Sequence, residues 1–542
     1  MRLLSLILVS CIFQNIYAKN INILDSGARP DGKTLCTDLI QKAIDECSDS
    51  GGGIVTISGG SFLTGTIFLK SNVTLHLENG AVLLGSTKRE DYKPSNLIRA
   101  KNAKNVAITG DGTIDGQGYL MWVPTKKQSA SLRGENTFAH QRPAVGNLIL
   151  LEACENVLVE NVTLKGSESW TLHLLACDEV VVTGITIRNP LHGPNTDGID
   201  IQGCSNVRIS DCDIYTSDDA IVLKNRHRDY FGKVCENITV TNCILTTICN
   251  GFKIGTESIN DFKNIVFSNS VIRAGKPDDE MAKVAASFLK PDQYASAMAP
   301  IAGIAIETVD GADLQGVTIS NIVMDQVRVP IFIRLANRGA GEQKVAVPVA
   351  GSLKDVIISN IVAYDAGIAS SITSIPGYYV ENVILKDIII TTKGGGDSDL
   401  AGKVLDEKIT AYPEGTMWGP MPVSGFYVRH VKGLQMIDVK VIVDEKDMRP
   451  LMKFDDVIGL YVNNLQTNES HAGNCVLEFN NVKKARLLNL DFPESLSSPW
   501  LFVKGKESSG IIIRAIDHSK VKNLVITGNE VLEKPDDGRN FK

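Results

Sequence analysis

Residues 156–164 read NVLVENVTL, 179–187 EVVVTGITI, 206–214 NVRISDCDI and 237–245 NITVTNCIL. The pattern continues as NIVFSNSVI from 264, GVTISNIVM from 316, DVIISNIVA from 355 and NVILKDIII from 382. Each copy is a short alternating stretch, a single Asn, Asp or Gly, and a second stretch rich in β-branched residues. Alternation marks strands, and Asn, Asp or Gly accepts the left-handed backbone that a one-residue bend needs. Successive copies start 23, 27, 31, 27, 52, 39 and 27 residues apart, so one unit is about 25 residues long and some corners carry insertions. Weaker copies begin at Asn72, Asn105, Gly433, Gly459, Lys484 and Asn523.

Leucine-rich repeats would need a helical half in each unit, and propeller blades a longer period. The pattern predicts an all-β chain, a single right-handed parallel β-helix. Thr37–Cys47 has helical periodicity, with Leu39, Ile40, Ala43, Ile44 and Cys47 on one side. It is expected to cap the N-terminal end of the solenoid, where a bare sheet edge would recruit other chains. No Pro/Gly/Ser linker breaks the ladder, so residues 19–542 read as one β-helix domain. The irregular stretches at 119–142, 274–300, 336–350 and 393–424 read as corner insertions, which in solenoids wall a binding face.

Residues 1–18 combine Arg2, an apolar run from Leu3 to Phe13 and a small Ala18, the pattern of a secretory signal peptide, which predicts an exported, periplasmic or secreted protein. A second reading takes Leu8–Cys11 as a lipoprotein box. The short apolar run before Cys11 and the apolar Ile12 and Phe13 after it weigh against this. No later segment approaches the ~20 apolar residues of a membrane span. A net charge of −7 leaves no electrostatic footprint for nucleic acid. Cys154, Cys177, Cys204 and Cys235 each stand two residues before a repeat, which predicts a column of buried thiols in place of a disulfide framework. No Cys/His spacing suits zinc, and a monomer with no cofactor and no metal is expected.

Two segments place acids where strands begin: Asn195-Thr196-Asp197-Gly198-Ile199-Asp200 and Ser217-Asp218-Asp219-Ala220. Asp197 and Asp218 are 21 residues apart, close to one coil, so Asp197, Asp218 and Asp219 should meet on adjacent rungs of one face. A glycosidase needs one carboxylic acid to protonate the leaving oxygen and one carboxylate to activate water or attack. Clustered acids also raise one another's proton affinity. A lone corner Asp is more often a turn residue. The spacing suggests a site without naming the reaction.

These motifs, with Asp25-Ser26-Gly27-Ala28-Arg29-Pro30-Asp31-Gly32, Gly51-Gly52-Gly53-Ile54-Val55 and the stretch Leu63–Val73, resemble glycoside hydrolase family 28, the polygalacturonase and rhamnogalacturonan hydrolase family. The resemblance covers about residues 20–390. It implies a parallel β-helix, inversion at the anomeric carbon and no metal. By the resemblance Asp218 is the general acid, and Asp197 and Asp219 hold and deprotonate the water. Inversion needs the acid and base roughly 6.5–9.5 Å apart.

Two family motifs are altered. Where a Gly-His-Gly element should precede Ile254-Gly255, the chain reads Cys249-Asn250-Gly251-Phe252-Lys253, without the histidine. The Arg-Ile-Lys element that grips galacturonate falls at Ala305-Ile306-Glu307, so a sugar carboxylate would meet Glu307 in place of a cation. This argues against plain internal cleavage of polygalacturonate. If Ile199, Ile201, Ile221, Leu223, Phe252 and Ile254 face the core, strand parity turns Asp200, Gln202, Lys224 and Lys253 outward, with His173 one coil earlier. Asn195, Asp200, Lys224, Lys253, His173 and Glu307 are the candidate substrate-binding residues. The two lysines would bind a sugar carboxylate, tune the acids, or simply be solvated. Trp170 is a stacking platform or packing.

The expected function is an inverting glycoside hydrolase acting on galacturonate-containing pectic polysaccharide or oligosaccharide. An exo-galacturonidase or a rhamnogalacturonan hydrolase are the narrower readings. The alternatives are a polysaccharide lyase on a similar β-helix, which would need calcium ligands and a basic residue, and a noncatalytic carbohydrate-binding β-helix.

Overall fold

The computed structural model describes residues 18–538 except 125–139, 142–144, 192, 227, 277–297, 340–348, 469–470, 494–497, 518–520 and 522. Residues 1–17 of the signal-like segment and much of the expected insertions at 119–142, 274–300 and 336–350 lie outside the described residues. Among the described residues, thirty-six strands join in one continuous hydrogen-bonded sheet that winds as a right-handed parallel β-helix. One coil runs Asp178–Thr183, Thr186–Arg188, Ile199–Gln202, and the next Ser205–Ser210, Asp213–Thr216, Ile221–Asn225. A third follows as Cys235–Thr241, Ile244–Thr247, Asn250–Ser258. Each strand pairs in parallel with its counterpart one coil on, so Val180 lies against Val207 and Val207 against Ile238.

The corners are where the sequence pattern put them. Asn156, Asn206, Asn237, Asn264 and Asn382 have φ of 55–58°, and at the second corner Asn161, Asp211, Asn242, Asn269 and Asn321 have φ of 52–62°. Asn tolerates this left-handed backbone better than other side chains do, and in register its amide gains a second role. Asn264 Nδ2 donates to Asn237 Oδ1 at 3.0 Å, and Asn237 Nδ2 donates to Asn206 Oδ1 at 3.0 Å. The same ladder links Asn156 to Asn105 and Asn105 to Asn72. At the second corner Asn360 donates to Asn321, and Asn321 to Asn269.

Inside, the alternate side chains form one apolar column per strand, fully buried from Val55 to Ile513. Cys154, Cys177, Cys204 and Cys235 are buried free thiols in this core, and the Cys177 amide donates to Cys204 Sγ at 3.3 Å. No disulfide occurs among the described residues. The cap helix runs Thr37–Asp49, two residues beyond the expected end, and buries Ile40, Ala43, Ile44 and Cys47, with Leu39 partly covered.

One repeat assignment is corrected. The copy at Asn523 forms Val525–Thr527, which pairs with Leu501–Lys504 in the column that contains Ile199–Gln202. The column continued by Lys484 passes instead to Ser509–Arg514, with Gly510 at φ 63°. Alternation gives a strand but not which of the three faces it joins.

The Asn ladder yields a test. Asn237→Ala keeps the unfavourable φ and loses both ladder hydrogen bonds, so urea unfolding should show a loss of about 1–3 kcal/mol, with Asn237→Gly losing less. Equal losses for the two variants would show that the backbone conformation is not what Asn provides.

Candidate active site

Ile199, Ile201, Ile221, Leu223, Phe252 and Ile254 are all fully buried in the core. The intervening side chains therefore lie on the outer face. Ile199 pairs with Ile221, and running that register back two residues sets Asp197 against Asp219. The Gly198 amide donates to the Asp219 carbonyl at 2.9 Å, which confirms the alignment. Adjacent strands are about 4.8 Å apart, so two carboxylates face each other across one rung spacing. Asp218 precedes Asp219 by one residue, so the structure brings all three expected acids together.

Each acid is held differently. Asn195, at φ 52°, donates its side-chain amide to Asp218 Oδ2 at 2.9 Å, and the Asp219 amide donates to Asp218 Oδ1 at 2.9 Å. Thr196 Oγ1 and Ser217 Oγ are hydrogen-bonded at 2.7 Å and tie the two acid-bearing corners together. Asn250, in the altered motif, donates to Asp219 Oδ1 at 2.7 Å, and Lys253 Nζ stands 3.3 Å from Asp219 Oδ2. Lys224 Nζ bridges Asp197 Oδ2 at 2.9 Å and Asp200 Oδ1 at 2.6 Å. Among the described residues, Asp197 Oδ1 and Asp200 Oδ2 are buried without a hydrogen-bond partner.

Both lysines are outside the core yet buried, Lys224 at 5% exposure and Lys253 at 1%, so they are not solvated surface charges. Burial drives Asp197 well above the usual carboxylate range. Lys224 opposes this, while Asp218, Asp200 and Asp219 add to it. Burial likewise pushes Asp200 up to about 7 against the pull of Lys224. Burial alone would discharge Lys224, but Asp197 and Asp200 hold it well above its ordinary value. Lys253 is kept charged against the same penalty by Asp219, with Tyr412, Glu307 and Glu414 nearby. One ammonium shared by two buried carboxylates leaves an excess negative charge, which a proton relieves.

His173 lies one rung earlier, opposite Asp200. Asn147 Nδ2 lies 2.9 Å from its Nδ1 and Gln202 Oε1 3.0 Å from its Nε2, a set that fits the Nε2–H tautomer. Trp170 packs edge-on to His173 at 4.9 Å, and Lys224 Nζ sits 3.8 Å from the Trp170 ring centre. The indole therefore covers the lysine.

Ala305 and Glu307 do not line an open subsite, contrary to the sequence expectation. Ala305 is packed with Phe332, Leu405, Met417, Trp418 and Met421 in a second apolar cluster on the outer face, formed by the insertion at 393–424. Glu307 is 1% exposed. Burial raises its carboxyl to about 8, Lys253 opposing and Glu414 adding, so at neutral pH it is a protonated donor and not a repelling carboxylate. Its Oε2 lies 3.1 Å from Thr256 Oγ1, which stands 3.0 Å from the Tyr412 hydroxyl. A protonated Glu307 can donate to Thr256, whose hydroxyl in turn donates to Tyr412. Sequence reasoning did not find Thr256, Glu257, Arg338 or Tyr412. Glu257 is partly buried and held below the usual carboxylate range: burial works against this, and Lys224, Lys253 and Arg338 prevail. Strand parity one rung on would have pointed to the 256–257 pair, but nothing local marks Tyr412.

Asp218, Asp219 and Cys249 bring one ligand-type atom each within 4.8 Å of one another. The two carboxylates already accept from Asn195 and Asn250.

Residues 47–276, which contain all three acids, match the family model described as glycosyl hydrolases family 28. A "Probable polygalacturonase" of Vitis vinifera is 35% identical over 235 residues, 39% of this chain and 46% of its own. An exo-poly-alpha-D-galacturonosidase of Dickeya chrysanthemi is 29% identical over 252 residues, 38% of this chain and 41% of its own. The chain thus spans less than half the length of these curated relatives. The crystal structure of an exopolygalacturonase from Thermotoga maritima superposes with a TM-score of 0.58 over 78% of this chain and 91% of that one, at 23% identity, a likeness of fold.

Glu307 gives a stability test. Its carboxyl rises from 4.5 in the unfolded chain to about 8 in the folded one, so the folded state binds the proton more tightly. That contribution is complete below pH ~4.5 and is lost as pH rises through ~8. Wild type should therefore lose stability relative to Glu307→Gln over this window in urea unfolding. A difference that does not change with pH would show that Glu307 titrates like an exposed carboxyl.

Proposed function

We propose that this chain, whose residues 47–276 match the model of glycosyl hydrolases family 28, is an inverting glycoside hydrolase that cleaves galacturonate-containing pectic chains from an end. The observation that carries the reading is one rung pair bearing three carboxylates in unlike surroundings. Asp218 accepts from the neutral amide of Asn195, whereas Asp197 and Asp219 each carry a lysine. A lysine pulls a carboxyl toward its ionised form against burial, which suits a base, and the acid role of Asp218 is carried over from the family resemblance.

In this mechanism Asp218 gives its proton to the glycosidic oxygen as the bond to the anomeric carbon breaks. Water held between Asp197 and Asp219 attacks that carbon from the opposite side and yields its proton to one of them, so configuration inverts. The raised proton affinity of Asp197 serves a group that must accept a proton near its working pH. Asp197 Oδ1, buried and without a protein partner, is the acceptor for that water.

End-directed action is supported by the apolar cluster that Leu405, Met417, Trp418 and Met421 build over Ala305 and Phe332. A polymer lying along the outer face past the acids meets this wall. The exo-acting name of the Dickeya chrysanthemi relative agrees with it. The absence of a cation at 305 and 307, where the covered Ala305 and Glu307 stand, removes a grip on galacturonate and favours rhamnogalacturonan-type fragments over plain oligogalacturonate.

The test is a product profile on defined oligogalacturonates and rhamnogalacturonan fragments. Release of one sugar at a time, with the first product inverted at the anomeric carbon, is expected. Rapid random depolymerisation of polygalacturonate would overturn end-directed action. Asp218→Asn should lower kcat by roughly 10²–10⁴ while leaving the fold intact. Activity should survive exhaustive chelation; loss restored by calcium, with products absorbing in the ultraviolet, would favour a lyase.

A further inference from the structure

Lys224 is a buried charge that the two-acid scheme does not itself require. Its ammonium touches Asp197 at 2.9 Å and Asp200 at 2.6 Å. The Trp170 ring lies 3.8 Å away. Asp200 is fully buried, and its second oxygen has no protein partner. A stem that crosses its rung to reach two acids, under an indole, leaves little room to turn toward a sugar.

We propose that Lys224 is a positioning residue that holds the Asp197 carboxyl aimed at the water, with Asp200 dividing the lysine's charge and Trp170 clamping it. This rests on the hydrolytic reading above. Two opposing influences then set the proton affinity of Asp197. Lys224 lowers it, and Asp200, competing for the same ammonium, weakens that effect. The other groups facing the trio are His173 from the rung before, and Asp218, Asp219, Lys253 and Glu257 from the rungs after. All of them remain when Lys224 or Asp200 is exchanged, so the two variants isolate the bridge.

The experiment is the pH profile of kcat/KM on a pectic oligosaccharide that the wild type hydrolyses. Lys224→Met should move the acid limb upward by about one pH unit or more and lower kcat at least about tenfold, with Lys224→Arg restoring part of both. Asp200→Asn should move the same limb downward, because Asp197 then has the lysine to itself. Trp170→Leu should shift it upward by less, and it stands in for Lys224→Met if that variant does not fold.

Opposite displacements by the lysine and aspartate variants support the proposal. A raised KM with a fixed limb would place Lys224 on the substrate and overturn it. Lower activity with no limb movement in any variant would reduce the trio to packing and overturn it too.

If the wild type hydrolyses no pectic substrate, the functional reading fails, and the bridge is judged by infrared difference spectra without substrate. The carboxylic-acid band that Asp200→Asn alters should persist to higher pH in Lys224→Met. An unchanged band would refute the bridge on its own.

Discussion

Parallel stacking of each coil on the one before, at about 4.8 Å, is the constraint on which the rest of the molecule depends. It turns a separation of about 25 residues in sequence into contact in space. Val180 meets Val207, Asn237 meets Asn206, and Asp197 meets Asp219 for the same reason. The stacking tolerates insertions only at corners, because a slip of one residue inside a strand would exchange core and outer faces. The positive-φ residues that make the corners are thus as much a part of the core's register as the apolar columns are. Asn serves both ends: it accepts the bend and it bonds to the Asn above and below.

The same stacking concentrates charge. Like residues stack on like residues, so acids on consecutive rungs cannot spread apart, and the structure answers with buried lysines. Lys224 takes Asp197 and Asp200, and Lys253 takes Asp219. Burial would discharge Lys224, Lys253, Asp197 and Asp200 singly, and the nearby carboxylates keep the lysines protonated while Asp197 and Asp200 hold a raised proton affinity. The result is a low-dielectric strip in which small changes of partner produce large changes of proton affinity. Glu307 shows the outcome where burial outweighs the nearby Lys253, and Glu257 where lysines and Arg338 dominate.

Beyond Lys253 the outer face changes character. The segment that carries Leu405 to Met421 lays an apolar patch on Ala302, Ala305, Val329 and Phe332, and Tyr412 reaches back to Thr256. Arg334 and Arg429 fasten it: Arg334 donates to the Glu407 carbonyl at 2.7 Å, and Arg429 to the Leu405 carbonyl at 3.1 Å. Small Ala305 allows the close approach of this segment where a family arginine would stand. The altered motif is therefore a packing change as well as a loss of charge.

The repeated strand–Asn–strand pattern was legible from residues alone, because alternation and positive-φ corners are local properties. So were the meeting of Asp197 with the Asp218-Asp219 doublet, which follows from the coil length, and the outward parity of Lys224 and Lys253, which follows from the pleat. Local pattern could not assign the strand at Val525 to its face, since all three faces alternate alike. Nor could it tell that Lys224 would bridge two acids beneath Trp170, or that Glu307 would be covered and hold its proton. Those facts depend on burial and on partners 24–156 residues apart, from Lys224 and Asp200 to Thr256 and Tyr412. The sequence by itself determined which residues share a rung and a face; only the tertiary structure decided their charge, because charge in a buried strip is set by what encloses it.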